Sequence, residues 1–380
     1  MRGAGKLPQV GTTIFTVMSH LAVQHKAINL AQGFPDFPCS PKLVSLVSQY
    51  MMKGANQYAP MAGVVSLREK IAAKTEELYN YYYNPDKEIT VTCGATEACY
   101  VTITSVIQPG DEVIIFEPSF DCYEPAITLS GGKPVFVELS YPDYKIDWQK
   151  VKEKISSKTR LIIINSPHNP TGSIFKKADM LALTELVKNT DILILSDEVY
   201  EHIIFDGEKH ESAILYPELR ERSFVISSFG KTFHSTGWRM GYCLAPEPLS
   251  AEFRKVHQYV TFSAPTPMQY AIADYLDEKE HYLGLPAFYQ QKRDHFMQLM
   301  KGSRFTGAAS SGTYFQLLSY KDITDENDVD YVARLTREVG VATIPISVFF
   351  KNRRDDKIIR FCFAKENETL ERAAEKLCKI

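Results

Sequence analysis

The chain has 380 residues, which is too long for one simple core, so two domains are the default expectation. Its 43 Lys and Arg nearly balance its 46 Asp and Glu, with no long run of like charge, which argues against a nucleic-acid surface. Its seven cysteines are odd in number and never form a Cys-x-x-Cys pair, which argues against a disulfide framework and a thiolate zinc site.

The first 30 residues contain several basic residues and no apolar stretch of signal-peptide length. The longest aliphatic runs, such as 161–164, are too short to span a bilayer. We therefore expect a cytoplasmic protein without a membrane anchor.

The N-terminal part of the chain is predicted to form an arm rather than a domain. A helical pattern covers 10–23, and the glycine and prolines of 29–38 predict an extended loop. Two further helices are predicted at 41–53 and 64–80, the second of them amphipathic.

From residue 89 onward, short apolar runs alternate with helical patterns. Strands are predicted at 89–92, 112–116, 134–139, 161–165, 192–196, 224–227 and 241–245, and helices at 95–107, 148–155 and 178–188. Apolar strands without polar alternation, separated by helices, indicate a mostly parallel α/β sheet that is covered on both faces. Ligands bind such sheets at the carboxyl ends of the strands.

The C-terminal part predicts a smaller α+β unit. Helices are predicted at 249–259, 268–301 with a break near Gly284 and Pro286, 329–339 and 368–377, and strands at 313–318 and 358–363. We expect the arm to pack against this unit. The predicted division is 1–44 for the arm and part of the small domain, 45–280 for the large domain and 281–380 for the small domain.

Polar and aromatic residues follow the predicted strands. Gly94 opens a helix and leaves its first amides free, which suits a phosphate, although Thr96 could simply be a helix cap. Phe120 could stack on a flat ring, although most aromatic side chains belong to the core. Asn169 lies between two prolines, in a segment that could also be an ordinary turn.

Two charged residues at strand ends are harder to explain structurally. Asp197 ends an apolar strand, where an ionised carboxylate is unfavourable unless a cation meets it. Lys231 lies among small and aromatic residues, with Arg239 eight positions later. It is either a solvated lysine in a turn, or an amine whose pKa is lowered by desolvation and a cationic neighbour and which can form a Schiff base. Together, these strand ends match the binding requirements of pyridoxal phosphate.

Five motifs carry a resemblance to a known family. They are Asn-Leu-Ala-Gln-Gly-Phe-Pro-Asp-Phe (29–37), Phe-Asp-Cys-Tyr-Glu-Pro (120–125), Asn-Pro-Thr-Gly (169–172), Ser-Asp-Glu-Val-Tyr (196–200) and Ser-Phe-Gly-Lys-Thr-Phe (228–233). The chain resembles the fold-type I aminotransferases of class I and II, in the branch of methionine and kynurenine aminotransferases, over about residues 28–365. His234 departs from the pattern, since many members have a small residue there. The resemblance implies a PLP-dependent transferase type I fold, with a mostly parallel seven-stranded sheet in a large domain and a smaller α+β domain.

The resemblance also implies roles for individual residues. Lys231 would hold pyridoxal 5′-phosphate as a Schiff base, Asp197 would pair with its pyridine nitrogen, and Tyr200 would bond its phenolic oxygen together with Asn169. Tyr58 would reach the phosphate of a neighbouring subunit, which implies a homodimer with shared active sites. The implied catalytic residues are Lys231, Asp197 and Tyr200, and the implied cofactor-binding residues are Tyr58, Gly94, Ala95, Thr96, Phe120, Asn169, Asp197, Tyr200, Ser228, Lys231 and Arg239.

Arg360 lies on an alternating strand and could be an ordinary exposed arginine. The resemblance makes it the two-point clamp for the α-carboxylate of the substrate, assisted by the amide nitrogen of Gly33 and by Asn169. Phe15 and Tyr123 are also predicted to contact the substrate.

The expected substrate pocket is apolar, and no second arginine is obviously placed for a dicarboxylate. Apolar, thioether and aromatic amino acids are therefore favoured over aspartate as donors, with methionine first and Phe, Tyr, His, Gln and kynurenine also expected.

One alternative stays open, and two others are disfavoured. The open alternative is kynurenine aminotransferase activity with β-elimination from cysteine S-conjugates. A non-catalytic domain of a transcriptional regulator would need a DNA-binding domain, for which the arm of about forty residues has no room. A nicotinamide-binding protein is disfavoured, because the glycine-rich segment 3–6 follows no strand.

Overall fold

The structure, a computed structural model, describes residues 5–380. Residues 3 and 4 of the glycine-rich segment lie outside that range. The arm contains α1 (Ile14–Gln24) and β1 (Ile28–Asn29), and α2 (Pro41–Met52) and α3 (Val65–Tyr79) follow. The predicted helices and the extended loop are therefore confirmed, apart from the short strand β1.

The central region alternates strands with helices, as predicted. Its strands are β2 (Ile89–Thr92), β3 (Glu112–Glu117), β4 (Lys133–Glu138), β5 (Thr159–Asn165), β6 (Leu193–Asp197), β7 (Ser223–Ser228) and β8 (Gly241–Leu244), and its helices are α4 (Ala95–Val106), α5 (Tyr123–Leu129), α6 (Trp148–Lys154), α7 (Lys177–Val187), α8 (Pro217–Arg220) and α9 (Phe229–Thr232). Asp147 caps α6, since its Oδ1 accepts hydrogen bonds from the amides of Gln149 and Lys150 at 3.1 and 3.3 Å. The helices α5, α8 and α9 were not predicted: α8 and α9 have only four residues each, and α5, although as long as α6, has no capping side chain to indicate its start.

The seven central strands form one sheet in the order β2-β8-β7-β6-β5-β3-β4. All neighbouring strands are parallel except at β8, which runs antiparallel to both β2 and β7. Alternate residues of one strand enter different cores: Ile162 and Ile164 lie in one, and Leu161 and Ile163 in the other. Because both faces are buried, the strands show no polar alternation, and the predicted mostly parallel sheet is confirmed.

The C-terminal region begins with helices. They are α10 (Glu247–Val260), α11 (Thr266–Tyr275), α12 (Glu280–Leu283) and α13 (Leu285–Met300). The predicted helix 268–301 is thus divided near Gly284, and Pro286 lies in the first turn of α13, where its missing amide is not needed.

The remaining elements form the smaller α+β unit. They are β9 (Phe315–Ser319), α14 (Asp328–Arg334), β10 (Val341–Ala342), β11 (Ile344–Pro345), β12 (Ile358–Cys362) and α15 (Asn367–Leu377). Strands β11, β12 and β9 form an antiparallel sheet. Strand β1 pairs in parallel with β10, so the arm packs against this unit as expected. Among the described residues, no helix combines the length and the apolar character needed to cross a membrane.

Candidate active site

A cavity of about 110 Å³ lies where the carboxyl ends of β5, β6 and β7 meet the start of α4. The residues that line it are Ala95, Thr96, Cys99, Phe120, Asn165, Asn169, Asp197, Val199, Tyr200, Ser228, Lys231 and Arg239. All the predicted cofactor-binding residues except Gly94 and Tyr58 are in this set. The strand-end positions, which are far apart in the sequence, are thus brought together at one edge of the sheet.

One end of the cavity is suited to an anion. The amides at the start of α4 are free of intrahelical partners, and Arg239 lies beside them. Gly94 makes this approach possible, since its φ is +85° and a Cβ atom there would lie 2.6 Å from Arg239 Nη2. Gly241 is equally confined, because its Cβ would lie 2.9 Å from the nitrogen of Ala95. Only glycine at these two positions permits the cradle.

Asp197 lies deep in the cavity and is 4% exposed. Its Oδ2 accepts a hydrogen bond from the Tyr123 hydroxyl at 2.6 Å, and the Cys99 Sγ lies 3.9 Å from the same oxygen. Burial raises the pKa of Asp197 to about 6, although the hydrogen bond from Tyr123 opposes the shift. Within residues 5–380, no Lys, Arg or His side chain forms an ion pair with this carboxylate. The site therefore fits a cationic ring nitrogen.

Lys231 extends from α9 into the same cavity. Its Nζ donates to the Tyr314 hydroxyl at 2.9 Å and to the carbonyl oxygen of Gly33 at 3.2 Å. Burial lowers the pKa of Lys231 to about 8, and the neighbouring Arg360 and Arg239 guanidinium groups lower it further against the opposing effect of Cys362. The amine is therefore partly deprotonated near neutral pH, as a nucleophile or a base requires.

Asn169 and Tyr200 lie at the ends of β5 and β6. The amide nitrogen of Asn169 donates to Asn165 Oδ1 at 2.8 Å, and Asn165 Nδ2 donates to the carbonyl oxygen of Asp197 at 2.8 Å. Tyr200 is 2% exposed, and its ring packs edge-on against Tyr314 with the ring centroids 5.1 Å apart. Asn165 thus holds the backbones of Asp197 and Asn169 in fixed positions relative to each other.

Arg360 is fully buried beside the cavity. Its Nη1 donates to Asn169 Oδ1 at 2.7 Å and its Nη2 to the carbonyl oxygen of Ala31 at 3.1 Å, while its Nε has no hydrogen-bond partner among the described residues. The guanidinium carbon lies 3.8 Å from the ring centroid of Phe315. Burial lowers the pKa of Arg360 to about 10, so it remains a cation at neutral pH. A buried guanidinium with a free N–H is a suitable receptor for a carboxylate.

The other predicted substrate contacts lie close by, but the surroundings of two of them differ from the prediction. The Phe15 ring faces Arg360 at 5.3 Å and Phe349 at 5.9 Å. Gly33 presents its carbonyl oxygen to Lys231, whereas the prediction concerned its amide nitrogen. The hydroxyl of Tyr123 is bonded to Asp197, which favours a role beside the acid over a contact with the substrate.

A larger cavity of about 540 Å³ adjoins the first at Phe120, which lines both. Its walls come from the arm between Leu7 and Val17, from the start of α5 and from the segment 348–353. Many of the lining side chains are apolar, among them Ile14, Val17 and Phe349. This cavity has room for an amino-acid side chain, and neither Arg360 nor Phe15 is among its lining residues.

Tyr58 does not line either cavity of its own chain. It is 83% exposed, and its ring packs edge-on against the exposed ring of Phe262, 5.3 Å away. Its role in a neighbouring subunit stays a prediction.

Two further residues of the site were not singled out from the sequence. Tyr314 bonds Lys231 and donates to the Gly33 carbonyl oxygen at 2.6 Å, but it comes from the distant C-terminal unit and carries no local signal. Asn165 could have been found, since it is the polar last residue of the buried strand β5.

A lysine and a buried acid at the carboxyl ends of a seven-stranded, mostly parallel sheet define the class: a transferase with the type I fold, for which the family implies pyridoxal phosphate. The chain belongs to the family described as aminotransferase class I and II, which matches residues 25–377. It is therefore a transaminase.

Individual relatives agree with this family. The chain is 52% identical to methionine aminotransferase of Escherichia coli (strain K12), over 99% of this chain and 97% of that protein. It is 31% identical to kynurenine–oxoglutarate transaminase 1 of Homo sapiens, over 94% and 93% of the two chains. An Escherichia coli crystal structure that identifies a methionine aminotransferase function superposes with a TM-score of 0.98 at 51% identity, covering 100% of both chains. N-succinyldiaminopimelate aminotransferase from Mycobacterium tuberculosis superposes with a TM-score of 0.95 at 33% identity, covering 99% of each.

Proposed function

We propose that the protein transfers the amino group of an apolar, thioether or aromatic L-amino acid, with methionine preferred, to a 2-oxo acid. The observation that carries the chemistry is that the Lys231 amine shares one cavity with Asp197, a buried carboxylate without an ion-pair partner in residues 5–380. The similarity to methionine aminotransferase over nearly the whole chain supports the choice of substrate.

The residues present fit pyridoxal 5′-phosphate, which the family implies. Lys231 would hold it covalently, and Asp197 would pair with its ring nitrogen. Its phosphate would lie in the cradle of Gly94, Ala95, Thr96, Ser228 and Arg239, and Phe120, Asn169 and Tyr200 would contact its ring and phenolic oxygen. When bound, the cofactor withdraws electrons from the α-carbon of the substrate and carries the amino group between the two half-reactions.

The chain itself supplies the base and the orientation. With a pKa of about 8, the Lys231 amine can take up and return the proton at the α-carbon of the substrate. Arg360 would hold the α-carboxylate so that the α-hydrogen, rather than the carboxylate, points in the reactive direction, which selects proton loss over decarboxylation. The first product leaves before the second substrate binds, so ping-pong kinetics are expected.

The preference for an apolar donor depends on the larger cavity. Of its basic side chains, Lys351 is paired with Glu124 at 2.5 Å, and Arg353 is exposed and donates to the carbonyl oxygen of Val348 at 3.2 Å. The second carboxylate of aspartate would therefore find no buried cationic partner among the described lining residues.

A panel of amino donors with several 2-oxo acids, compared by kcat/KM, tests the proposal. We expect methionine and aromatic donors to exceed aspartate and glutamate. Arg353→Gln is the matched control, since it should change the aspartate rate little. If aspartate is the best donor by a wide margin, the substrate assignment is wrong; loss of that preference in Arg353→Gln would then identify Arg353 as the partner of the second carboxylate.

A second candidate is kynurenine aminotransferase activity accompanied by β-elimination from cysteine S-conjugates. Kynurenine–oxoglutarate transaminases of Dictyostelium discoideum and Bos taurus are each 33% identical to this chain, which favours this alternative as a side activity. Release of pyruvate from a cysteine S-conjugate without an added oxo acid would establish the elimination, and transfer of the amino group from kynurenine to 2-oxoglutarate would establish the aminotransferase activity.

We further propose a homodimer with shared sites, in which Tyr58 reaches the partner's phosphate cradle. The exposed pair of Tyr58 and Phe262 supports this, because large exposed aromatic side chains often mark an interface. The proposed division into 1–44 with 281–380 and 45–280 is supported by the pairing of β1 with β10. A cytoplasmic location is supported by the seven free cysteines.

A further inference from the structure

A buried carboxylate outside both cavities connects the strand ends that carry the site. Glu201 directly follows Tyr200, and its side chain is 4% exposed. It accepts hydrogen bonds from Lys74 Nζ at 2.7 Å, from the Tyr79 hydroxyl at 2.6 Å and from the Ser227 hydroxyl at 2.9 Å. Glu201 therefore joins helix α3 to the ends of β6 and β7.

At the centre of this network is the ion pair of Lys74 and Glu201, in which the attraction between the two charges outweighs the unfavourable effect of burial on each. Burial alone would lower the pKa of Lys74, but the Glu201 carboxylate raises it above its ordinary value. Burial would likewise raise the pKa of Glu201, but Lys74 holds it well below its usual range. Lys74 Nζ also donates to the Tyr242 hydroxyl at 2.9 Å. A buried network whose members are satisfied is rigid, because any displacement leaves a charge unpaired.

Two connections of Glu201 lead to residues that line the site. Along the chain, the residue before Glu201 is Tyr200 and the residue after Ser227 is Ser228, and both line the smaller cavity. Strands β7 and β8 are paired here, with Ser227 opposite Tyr242 and Ser228 opposite Gly241. The Ser227–Glu201 hydrogen bond thus spans the gap between the tyrosine at one side of the cavity and the serine at its anion-binding end.

We propose that Glu201 is a positioning residue for the cofactor: through Ser227, it fixes Ser228 and Tyr200 relative to each other. The inference rests on the proposed function, since these two residues are the ones proposed to contact the phosphate and the phenolic oxygen. Lys74 keeps the Glu201 carboxylate ionised in this role, and Tyr79 anchors it to α3.

The test compares two serine variants of the full-length protein on the same strand. Ser227→Ala removes the bond to Glu201, and Ser223→Ala, at the other end of β7, removes an equally buried bond to the carbonyl oxygen of Leu219 at 2.6 Å. The measurements are the dissociation constant of pyridoxal 5′-phosphate, the pH midpoint of its visible absorbance when bound, and the thermal midpoint.

We expect Ser227→Ala to bind the cofactor about tenfold more weakly, as the loss of one hydrogen bond to a charged group allows. We also expect the pH midpoint of the visible absorbance to rise, because a less well-placed Tyr200 hydroxyl stabilises the deprotonated form of the bound cofactor less. Ser227→Thr, which keeps the hydroxyl, should restore both values. Ser223→Ala should lower only the thermal midpoint.

Glu201→Gln is a less useful variant, since it leaves the Lys74 ammonium buried without its carboxylate and destabilises the whole fold. Tyr79→Phe keeps the ion pair, so it serves as the second variant, with a smaller effect in the same direction. If both Ser227→Ala and Tyr79→Phe retain the parent's affinity and pH midpoint, Glu201 has only a structural role and the inference is overturned. If the parent protein itself does not bind pyridoxal 5′-phosphate, the proposed function fails as well.

Discussion

Replacing Asp197 by asparagine should make the cofactor-free protein more stable while it abolishes transamination. In the folded chain, burial raises the pKa of Asp197 from 3.8 to about 6. The charged carboxylate is thus penalised in the folded state relative to the unfolded one. The penalty develops as the pH rises from 3.8 to about 6 and is complete above that value. Asparagine has a similar shape and can still accept the hydrogen bond from Tyr123, but it carries no charge.

The size of the effect follows from the shift. A raised pKa of about two units corresponds to about 3 kcal/mol at neutral pH, since each unit contributes about 1.4 kcal/mol. The gain of the variant over the parent should therefore grow between pH 4 and pH 6 and stay constant from pH 6 to pH 8. Saturating pyridoxal 5′-phosphate should reverse the order, because the carboxylate then has a cationic partner.

Urea unfolding at fixed protein concentration, between pH 4 and pH 8 and with and without the cofactor, measures this difference. Asp206→Asn is the matched control: Asp206 is exposed and paired with Arg293 at 2.7 Å, which lowers its pKa, so the control should lose stability at neutral pH. Parallel pH curves for the parent and Asp197→Asn would refute the raised pKa of Asp197. A cofactor that stabilises both proteins equally would refute the assignment of Asp197 as the partner of the ring nitrogen.

Three further predictions follow from the site. Arg360→Lys keeps the charge but loses one of two contacts to the α-carboxylate, so kcat/KM for methionine should fall about 10- to 100-fold. The amine that corresponds to methionine without its carboxylate should react equally with the parent and the variant. An equal loss of kcat/KM for both substrates would contradict the role of Arg360 as the carboxylate clamp. In the cofactor-free protein, the pKa of Lys231 is lowered from 10.5 to about 8, so the stability should rise as the pH rises through that interval, and Lys231→Met should remove the rise, as urea unfolding would show. Tyr58→Ala should weaken cofactor binding, and a mixture of Tyr58→Ala and Lys231→Ala chains should regain activity through hybrid dimers; no recovery in mixed dimers detected by mass would argue against shared sites.

The sequence was sufficient to predict the sheet and the positions of most cavity residues. The buried strands of the sheet are mainly apolar, and a polar residue or a glycine lies at or soon after the carboxyl end of several of them, as Asp197 does at the end of β6, Gly94 after β2 and Asn169 after β5. These signals are local in the sequence, so they can be recognised without knowledge of the fold. The roles of the residues came from the resemblance of motifs, and they stay proposals until the variants are measured.

Contacts between distant parts of the chain could be decided only by the tertiary structure. No local pattern indicates that Tyr314 bonds Lys231, that Tyr123 is committed to Asp197, or that Glu201 is bonded by a serine 26 positions later. The short helices α5 and α9 were also missed: α9 has only four residues, and α5 lacks a side-chain N-cap of the kind that Asp147 provides for the equally short α6. Local sequence thus determined which chemical groups stand at the edge of the sheet. Packing across the whole chain decided which of them are desolvated and paired, and this sets the pKa values on which the chemistry depends.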